Sequence, residues 1–214
     1  MLKKQKDVTT VELVGGHECL DFVNTAGRRG SENPVEWLNT YQDLVLWCRR
    51  SHIITSQELK QLNLKAAQRI VEAEKALVAA IGLRETLYRI LASTLAKAEA
   101  SRSDLVQFNV MLARTMMQSR ILPDPTGFQW NSKGNTDKLD WVLNPLVRSA
   151  ADLLTSRRLM RVRSCADTVC GRLFLDMSRN KSRRWCDMKS CGNRAKAMRF
   201  YQKKKRTLQT EGQD

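Results

Sequence analysis

The sequence predicts a mainly α-helical chain that ends in a small module of a different kind. Three observations carry this expectation. Apolar residues recur at helical spacing through the middle of the chain, two stretches carry helix-capping signatures, and the composition changes abruptly near Ser156. Beyond that point cysteines and positive charge concentrate. The expected division is a helical domain at 1–156, a compact module at 157–206 and a short disordered tail at 207–214. A chain of 214 residues has room for one large domain or two small ones, and a hydrophobic fraction of 42% is enough for a packed core.

Residues 11–30, VELVGGHECLDFVNTAGRRG, hold a short apolar stretch between glycines and read as extended or irregular, with room for a short strand. In NPVEWLNTYQDLVLWCRR, Asn33 is placed to cap a helix, Pro34 suits its first position and Glu36 stands three residues after the cap. Thr55-Ser56-Gln57-Glu58 is a second capping box. The helical pattern from there to about residue 100 places Ile70, Leu77, Ile81, Tyr88, Leu91 and Leu95 on one buried stripe, with a bend or break at Gly82. A further helix is expected over 103–119, and a loop with hairpin character follows, rich in proline and glycine. LDWVLNPLVRSAADLLTSRR is helical again, and Pro145 demands a kink or a late start.

Charge separates the last part of the chain from the rest. Formal net charge is +15, of which 157–206 contributes +14 through 17 Lys and Arg against 3 Asp. Such a concentration is the electrostatic footprint of a polyanion partner. The N terminus, MLKKQKDVTT, has no apolar stretch behind its lysines, and the longest apolar run, ALVAAIGL at 76–83, is too short to span a bilayer. The expected setting is a reducing cytoplasm, where six cysteines are poor candidates for structural disulfides.

Four of those cysteines form two spaced pairs, Cys165-x4-Cys170 and Cys186-x4-Cys191, with fifteen residues between them. Each pair supplies two thiolates from one turn, the usual arrangement for a tetrahedral four-thiolate zinc site; disulfides and an iron–sulfur cluster are the competing readings. GRLFLD puts Leu173 and Leu175 on one side of a short strand and Phe174 on the other. GNRAKAMRFYQKKKR after the second pair is helical, with Ala197, Met198 and Tyr201 on one face and Lys196, Arg199, Lys203 and Arg206 opposite. A knuckle, a hairpin and a helix entered at its ligands describe a treble-clef-like α+β finger around one structural Zn2+. About fifty residues of so little apolar content need that ion in order to fold, since zinc supplies on the order of 10–16 kcal/mol to small fingers. Cys19 and Cys48 lack partners at ligand spacing and read as buried hydrophobes.

The stretch CADTVCGRLFLDMSRNKSRRWCDMKSCGNRAKAMRFY closely resembles the CGNR zinc finger, named for what is here Cys191-Gly192-Asn193-Arg194. The resemblance takes in both cysteine pairs, the FLD-S segment, the basic loop before Trp185-Cys186 and the helix start. CLDFVNT at 19–25, GLRETLY at 82–88 and SAADLLTS at 149–156 are similar to the ABATE domain that precedes this finger in its family. That family is described, itself by prediction, as stress-induced transcription regulators, so the resemblance implies a bacterial DNA-binding regulator.

The candidate nucleic-acid contacts are Arg179, Lys181, Arg183 and Arg184 on the loop between the pairs, with Arg194, Lys196, Arg199 and Lys203 on the helix. Most would meet phosphate, while one or two arginines could read guanine edges in a major groove. A solvated basic surface without a partner is the bland alternative, and RNA is the competing nucleic acid. An adaptor whose finger docks an acidic protein is a further reading. Trp185, directly before a ligand, reads as finger core, with base stacking as its alternative.

In the helical part, Asp21, Asn24 and Thr25, completed by Arg84, form a candidate small-molecule effector site; local capping and backbone satisfaction are the plainer account of the first two. His17 and His52 carry little signal. No Cys–His, Ser–His–Asp or paired-carboxylate arrangement stands at a defensible spacing, and no Gly-rich phosphate loop is present, so the expectation is a non-enzyme. A homodimer is expected because one short finger reads few base pairs.

Overall fold

The computed structural model describes residues 4–131 and 133–210, with side chains described to residue 202. The chain is mainly helical, with three small sheets. Among the described residues no helix is long and apolar enough to cross a membrane.

The first helix lies where an extended segment was expected. α1 spans Glu18–Val23 and buries Cys19, Leu20, Phe22 and Val23. Those four sit at i, i+1, i+3 and i+4, one face of a helix, and the Leu20 and Asp21 N–H groups both donate to the His17 carbonyl at 3.0 and 2.9 Å. The expected strand lies on either side of it: β1 (Lys4–Gln5), β2 (Ala26–Gly27) and β3 (Val35–Glu36) make a sheet in the order β1-β3-β2. β1 runs parallel and β2 antiparallel to β3.

β3 occupies the segment that reads as a helix start at Asn33. The helix begins later: α2 spans Tyr41–Arg50 and its cap is Thr40, whose Oγ1 accepts from the Asp43 N–H at 3.1 Å while Asp43 accepts from the Thr40 N–H at 2.9 Å. Glu36 is drawn inward instead, pairing with Arg84 and accepting from the Trp37 and Leu38 N–H groups. α3 (Ser56–Gln68) starts at the expected Thr55–Glu58 capping box.

α4 (Ile70–Leu95) runs unbroken through Gly82, so the expected bend is absent. Its buried face is also rotated from the expected stripe: it consists of Ala73, Ala76, Ala80, Leu83, Arg84, Thr86, Leu87, Ile90 and Leu91. Leu77, Tyr88 and Leu95 flank that face, while Ile70 is 64% exposed. Small alanines let the helix approach its neighbours closely, and the larger side chains are displaced to the margin. α5 (Arg102–Gln118) and the β4 (Arg120–Asp124)–β5 (Gly127–Asn131) hairpin follow as expected. α6 (Leu143–Thr155) accommodates Pro145 by a late start, since Pro145 is its third residue and a 3-10 turn at Leu139–Val142 precedes it.

After a 3-10 turn at Arg157–Arg161 come β6 (Val162–Ser164), β7 (Leu173–Leu175), a wide turn at Met188–Gly192 and α7 (Asn193–Thr210). β7 pairs antiparallel with β6, so the hairpin strands flank the first cysteine pair instead of following it. The alternation expected for β7 holds. Leu173 and Leu175 enter the main core beside Leu20, Phe22 and Trp47, while Phe174 packs on the cysteines. The finger hairpin therefore shares the helical domain's core. α7 continues past residue 206 to Thr210, where a tail was expected to begin, and 211–214 lie outside the described residues.

Candidate metal centre and nucleic-acid interface

Two tight turns present the cysteines. Cys165 follows β6, and its N–H donates to the Arg172 carbonyl at 2.9 Å, closing the first turn; the Cys170 N–H donates to the Asp167 carbonyl at 2.9 Å within it. In the second, Asp187 accepts from the Ser190 N–H at 2.7 Å and the Gly192 N–H reaches back to the Asp187 carbonyl, so Cys191 sits in the wide turn that opens α7. All four thiols are buried and free, and their sulfur atoms lie within 4.8 Å of one another. Cys186 Sγ is 3.6 Å from Cys170 Sγ and 3.7 Å from Cys191 Sγ.

Those distances test the donor set. A tetrahedral ion with Zn–S bonds of about 2.3 Å places its sulfurs about 3.8 Å apart, whereas a disulfide needs about 2.05 Å. The four cysteines fit one ion, and four thiolates suit zinc. Hydrogen bonds among the thiols set how charge is shared between them. Hydrogen bonds from the Cys170 and Cys186 thiols hold the Cys165 sulfur well below the usual thiol range. The same contacts push Cys186 up, and burial raises Cys191. The cluster by itself favours one thiolate; a divalent cation lets all four sulfurs carry charge together.

The pocket around the ligands is built by residues of the same segment together with Val14. Phe174 forms its floor, and the Arg183 guanidinium lies 4.4 Å from the Phe174 ring centroid. Arg183 donates to the carbonyls of Trp185 at 3.0 Å and Val14 at 3.3 Å, and also to that of Cys186. Asp176 organises the basic loop, accepting from the Ser178 hydroxyl at 2.6 Å and from the Arg183 N–H at 3.1 Å. The Ser178 hydroxyl is the main reason that its carboxyl titrates below the usual range.

With this geometry in view, two family comparisons match the chain. The ABATE family, described as "Putative stress-induced transcription regulator", matches residues 16–157, and the CGNR zinc finger matches 161–204. The chain belongs to the ABATE family. It carries the CGNR finger behind that domain, with the four cysteines positioned for one structural zinc ion. Both matched families are regulatory or zinc-binding in description, not enzymatic. Among curated proteins nothing matches the chain.

Within the ABATE region the residues of CLDFVNT serve the mounting of the finger. Asn24 Nδ2 donates to the Leu173 carbonyl at 2.8 Å, and the Leu173 N–H donates to Asn24 Oδ1 at 2.9 Å. Asp21 Oδ1 accepts from the Gly15 N–H at 2.7 Å, and the Gly15 carbonyl accepts from Leu175 at 2.7 Å. Thr25 and Arg84 meet in the core. Thr25 donates to the Phe22 carbonyl, and Arg84 Nη1 lies 3.3 Å from Thr25 Oγ1. Arg84 is fully buried, with Nη1 and Nη2 on the two Glu36 oxygens at 2.6 and 2.7 Å. Asn24, Thr25 and Arg84 do not line the cleft described below, and their side chains bond to protein partners. Cys19 and Cys48 are buried in the core, and burial pushes both thiols up.

The finger's approach is close enough to exclude side chains. A Cβ on Gly30 would lie 2.3 Å from the Thr168 carbonyl oxygen, and one on Gly171 (φ +65°) would lie 2.9 Å from Arg29 Cβ.

Of the eight expected nucleic-acid residues, Arg179, Lys181, Arg184, Arg194, Lys196 and Arg199 are exposed. Arg183 is turned inward. The side chain of Lys203 lies outside the described residues. Arg194 also joins the two cysteine turns through Asp167 at 2.7 Å. Arg184 from the loop and Arg199 from α7 stand over the same Trp185 ring, 5.2 and 5.8 Å from its centroid. Trp185 itself packs on the cysteine cluster, as its core reading required. Phe174 and Asp167 were missed as site residues; the alternation around Phe174 was the available signal.

Proposed function

We propose that the protein is a DNA-binding transcription regulator. The finger at 157–206 is its binding element, and the helical domain at 1–156 senses a signal or dimerises. The observation that carries this reading is the pair of guanidinium groups on Trp185. Arg184 belongs to the loop between the cysteine pairs and Arg199 to α7, so the two basic segments adjoin at one metal-anchored aromatic. Arg179 and Lys181 on the loop and Arg194 and Lys196 on α7 are exposed as well. Zinc supplies no chemistry here beyond fixing the two turns; the side chains of the chain do the binding. The helix carries Lys196 and Arg199 into reach of a groove, and the loop arginines meet phosphate. This reading sets the protein in a bacterial cytoplasm.

Selection from random duplex DNA, with a single-stranded RNA pool in parallel, tests the assignment. Duplex fragments should be enriched, and their affinity should fall with salt at a logarithmic slope near −5 if roughly six phosphates are neutralised. A flat salt response, or enrichment from the RNA pool alone, would overturn it. Binding of neither pool would favour an adaptor that docks an acidic protein.

A further inference from the structure

Between the β4–β5 hairpin and α6 lies a cleft of about 940 Å³, lined by none of the four metal-site cysteines and by none of Asp21, Asn24, Thr25 and Arg84. Its volume falls within the range of small-molecule sites. Leu122 and Trp130 of the hairpin, with Pro145 of α6 and Ile53 after α2, supply its apolar wall. Trp130 leaves 45% of its surface open, a large bare indole inside a concavity.

The polar side of the cleft carries a donor with nothing to donate to. The Arg148 guanidinium lies 4.5 Å from the Trp130 ring centroid. Its Nη2 reaches Asp152 at 3.2 Å, but its Nη1 is buried and has no hydrogen-bond partner. A buried donor without an acceptor costs free energy that a bound acceptor recovers. Arg158 adds a second guanidinium to the same cleft. Burial chiefly, and the nearby charge of Arg158, hold the His17 imidazole below its usual range, so the positive charge of the cleft comes from Arg148, Arg158 and Lys133, set against the carboxylates of Glu18 and Asp152.

We infer that this cleft binds a small planar carboxylate of the aromatic-acid class. The Arg148 guanidinium over the Trp130 ring keeps a cation beside the exposed indole. A carboxylate held between the Arg148 and Arg158 guanidinium groups leaves its planar ring to pack on Trp130, Leu122 and Pro145 of the apolar wall. Arg158 completes the charge. The position also connects to the finger: Arg158 belongs to the turn leading into β6, and His17 opens the helix that carries Asn24. Only the assignment of the cleft as an effector site rests on the regulator reading; binding itself does not.

Calorimetric titration of the reduced, zinc-loaded full chain with 2-naphthoate, with 2-naphthylmethanol as the neutral isostere, tests the site without DNA. Naphthoate should bind saturably at one site and raise the melting temperature, and the alcohol should do neither. Arg148→Met should weaken naphthoate binding at least about tenfold, and Arg158→Met, a change at an exposed position, should weaken it too. Absence of saturable naphthoate binding, or equal binding by the wild type and both variants, would overturn the site. Naphthoate binding by a protein without affinity for duplex DNA would support the site and sink the regulator reading instead.

Discussion

Asn24 and Leu173 hold each other by a reciprocal pair of hydrogen bonds, 2.8 and 2.9 Å long, across 149 residues of sequence. The side-chain amide acts as one residue of a neighbouring strand, satisfying the edge of β7 that β6 leaves open. Leu175 is held on the same edge by the Gly15 carbonyl. The segment before α2 thus forms the seat of the finger.

Asn24→Ala would strip both bonds from buried backbone groups of Leu173. Leaving a buried donor and acceptor unpaired costs about 1–3 kcal/mol each, so a loss of about 3 kcal/mol is expected in chemical denaturation of the zinc-loaded protein. Zinc transfer to a competing chelator should accelerate as well, because β7 holds Phe174 against the cysteines. An unchanged transfer rate in a destabilised variant would separate the seat from the metal centre.

Metal removal should undo the finger in part. Leu173 and Leu175 belong to the helical core, whereas the second cluster is only the four cysteines, Phe174, Val14 and Trp185. One zinc per chain is expected by elemental analysis. Chelation under reducing conditions should expose the amides of 183–202 to hydrogen exchange, leaving α2, α4 and α6 protected. Cys186→Ser should reproduce this without chelator.

Legibility followed the range of the interactions. Thr55–Glu58 is a local cap and β7 a local alternation, so both read directly, as did the cysteine pairs. Asn33-Pro34-x-Glu36 reads as well as a cap as Thr40–Asp43 does, and what decides between them is Arg84, 48 residues beyond Glu36. The stripe on α4 went astray because apolar ranking favours Ile70 and Ile81, while close helix packing selects Ala73, Ala76 and Ala80. Asn24 sits in a stretch that looks equally suited to a ligand, and its partner is far along the chain. The cleft at Trp130 and Arg148 draws on His17, Ile53, the hairpin, α6 and Arg158, which only the tertiary fold brings together.

Asp21 gives a pH dependence of defined sign. Burial raises its carboxyl from 3.8 to about 6, with the Gly15 N–H opposing. A carboxyl whose folded pKa lies above its unfolded one contributes stability that is full below about pH 4 and lost as pH rises through about 6. Asp21→Asn keeps an acceptor for Gly15 and removes the buried charge. The variant should therefore gain about 2 kcal/mol over the wild type at pH 7, with the difference opening between pH 4 and 6.5 and flat above. A constant difference across that range would place the cost of Asp21 elsewhere.

Neighbouring arginines should separate by role. Arg183 donates to the carbonyls of Val14, Trp185 and Cys186 and covers Phe174, so Arg183→Ala removes the donor that these carbonyls share and opens the floor of the metal site. Its expected result is a loss of about 2–3 kcal/mol in stability and faster zinc release, with DNA affinity lost only through unfolding. The Arg184 side chain is exposed and lies over the Trp185 ring, while its carbonyl, which a substitution keeps, accepts from the Ala166 N–H at 2.8 Å. Arg184→Ala should leave the melting temperature within a degree or two, weaken duplex binding uniformly across sequences and reduce the salt slope by about 1. Arg194 lies between these cases, since its guanidinium is exposed but pairs with the mostly buried Asp167 carboxylate, a contact worth on the order of 1 kcal/mol. Melting curves and salt-series titrations on the three variants read both quantities. An Arg184→Ala protein with an unaltered salt slope would remove the loop from the interface and leave α7 to carry it alone.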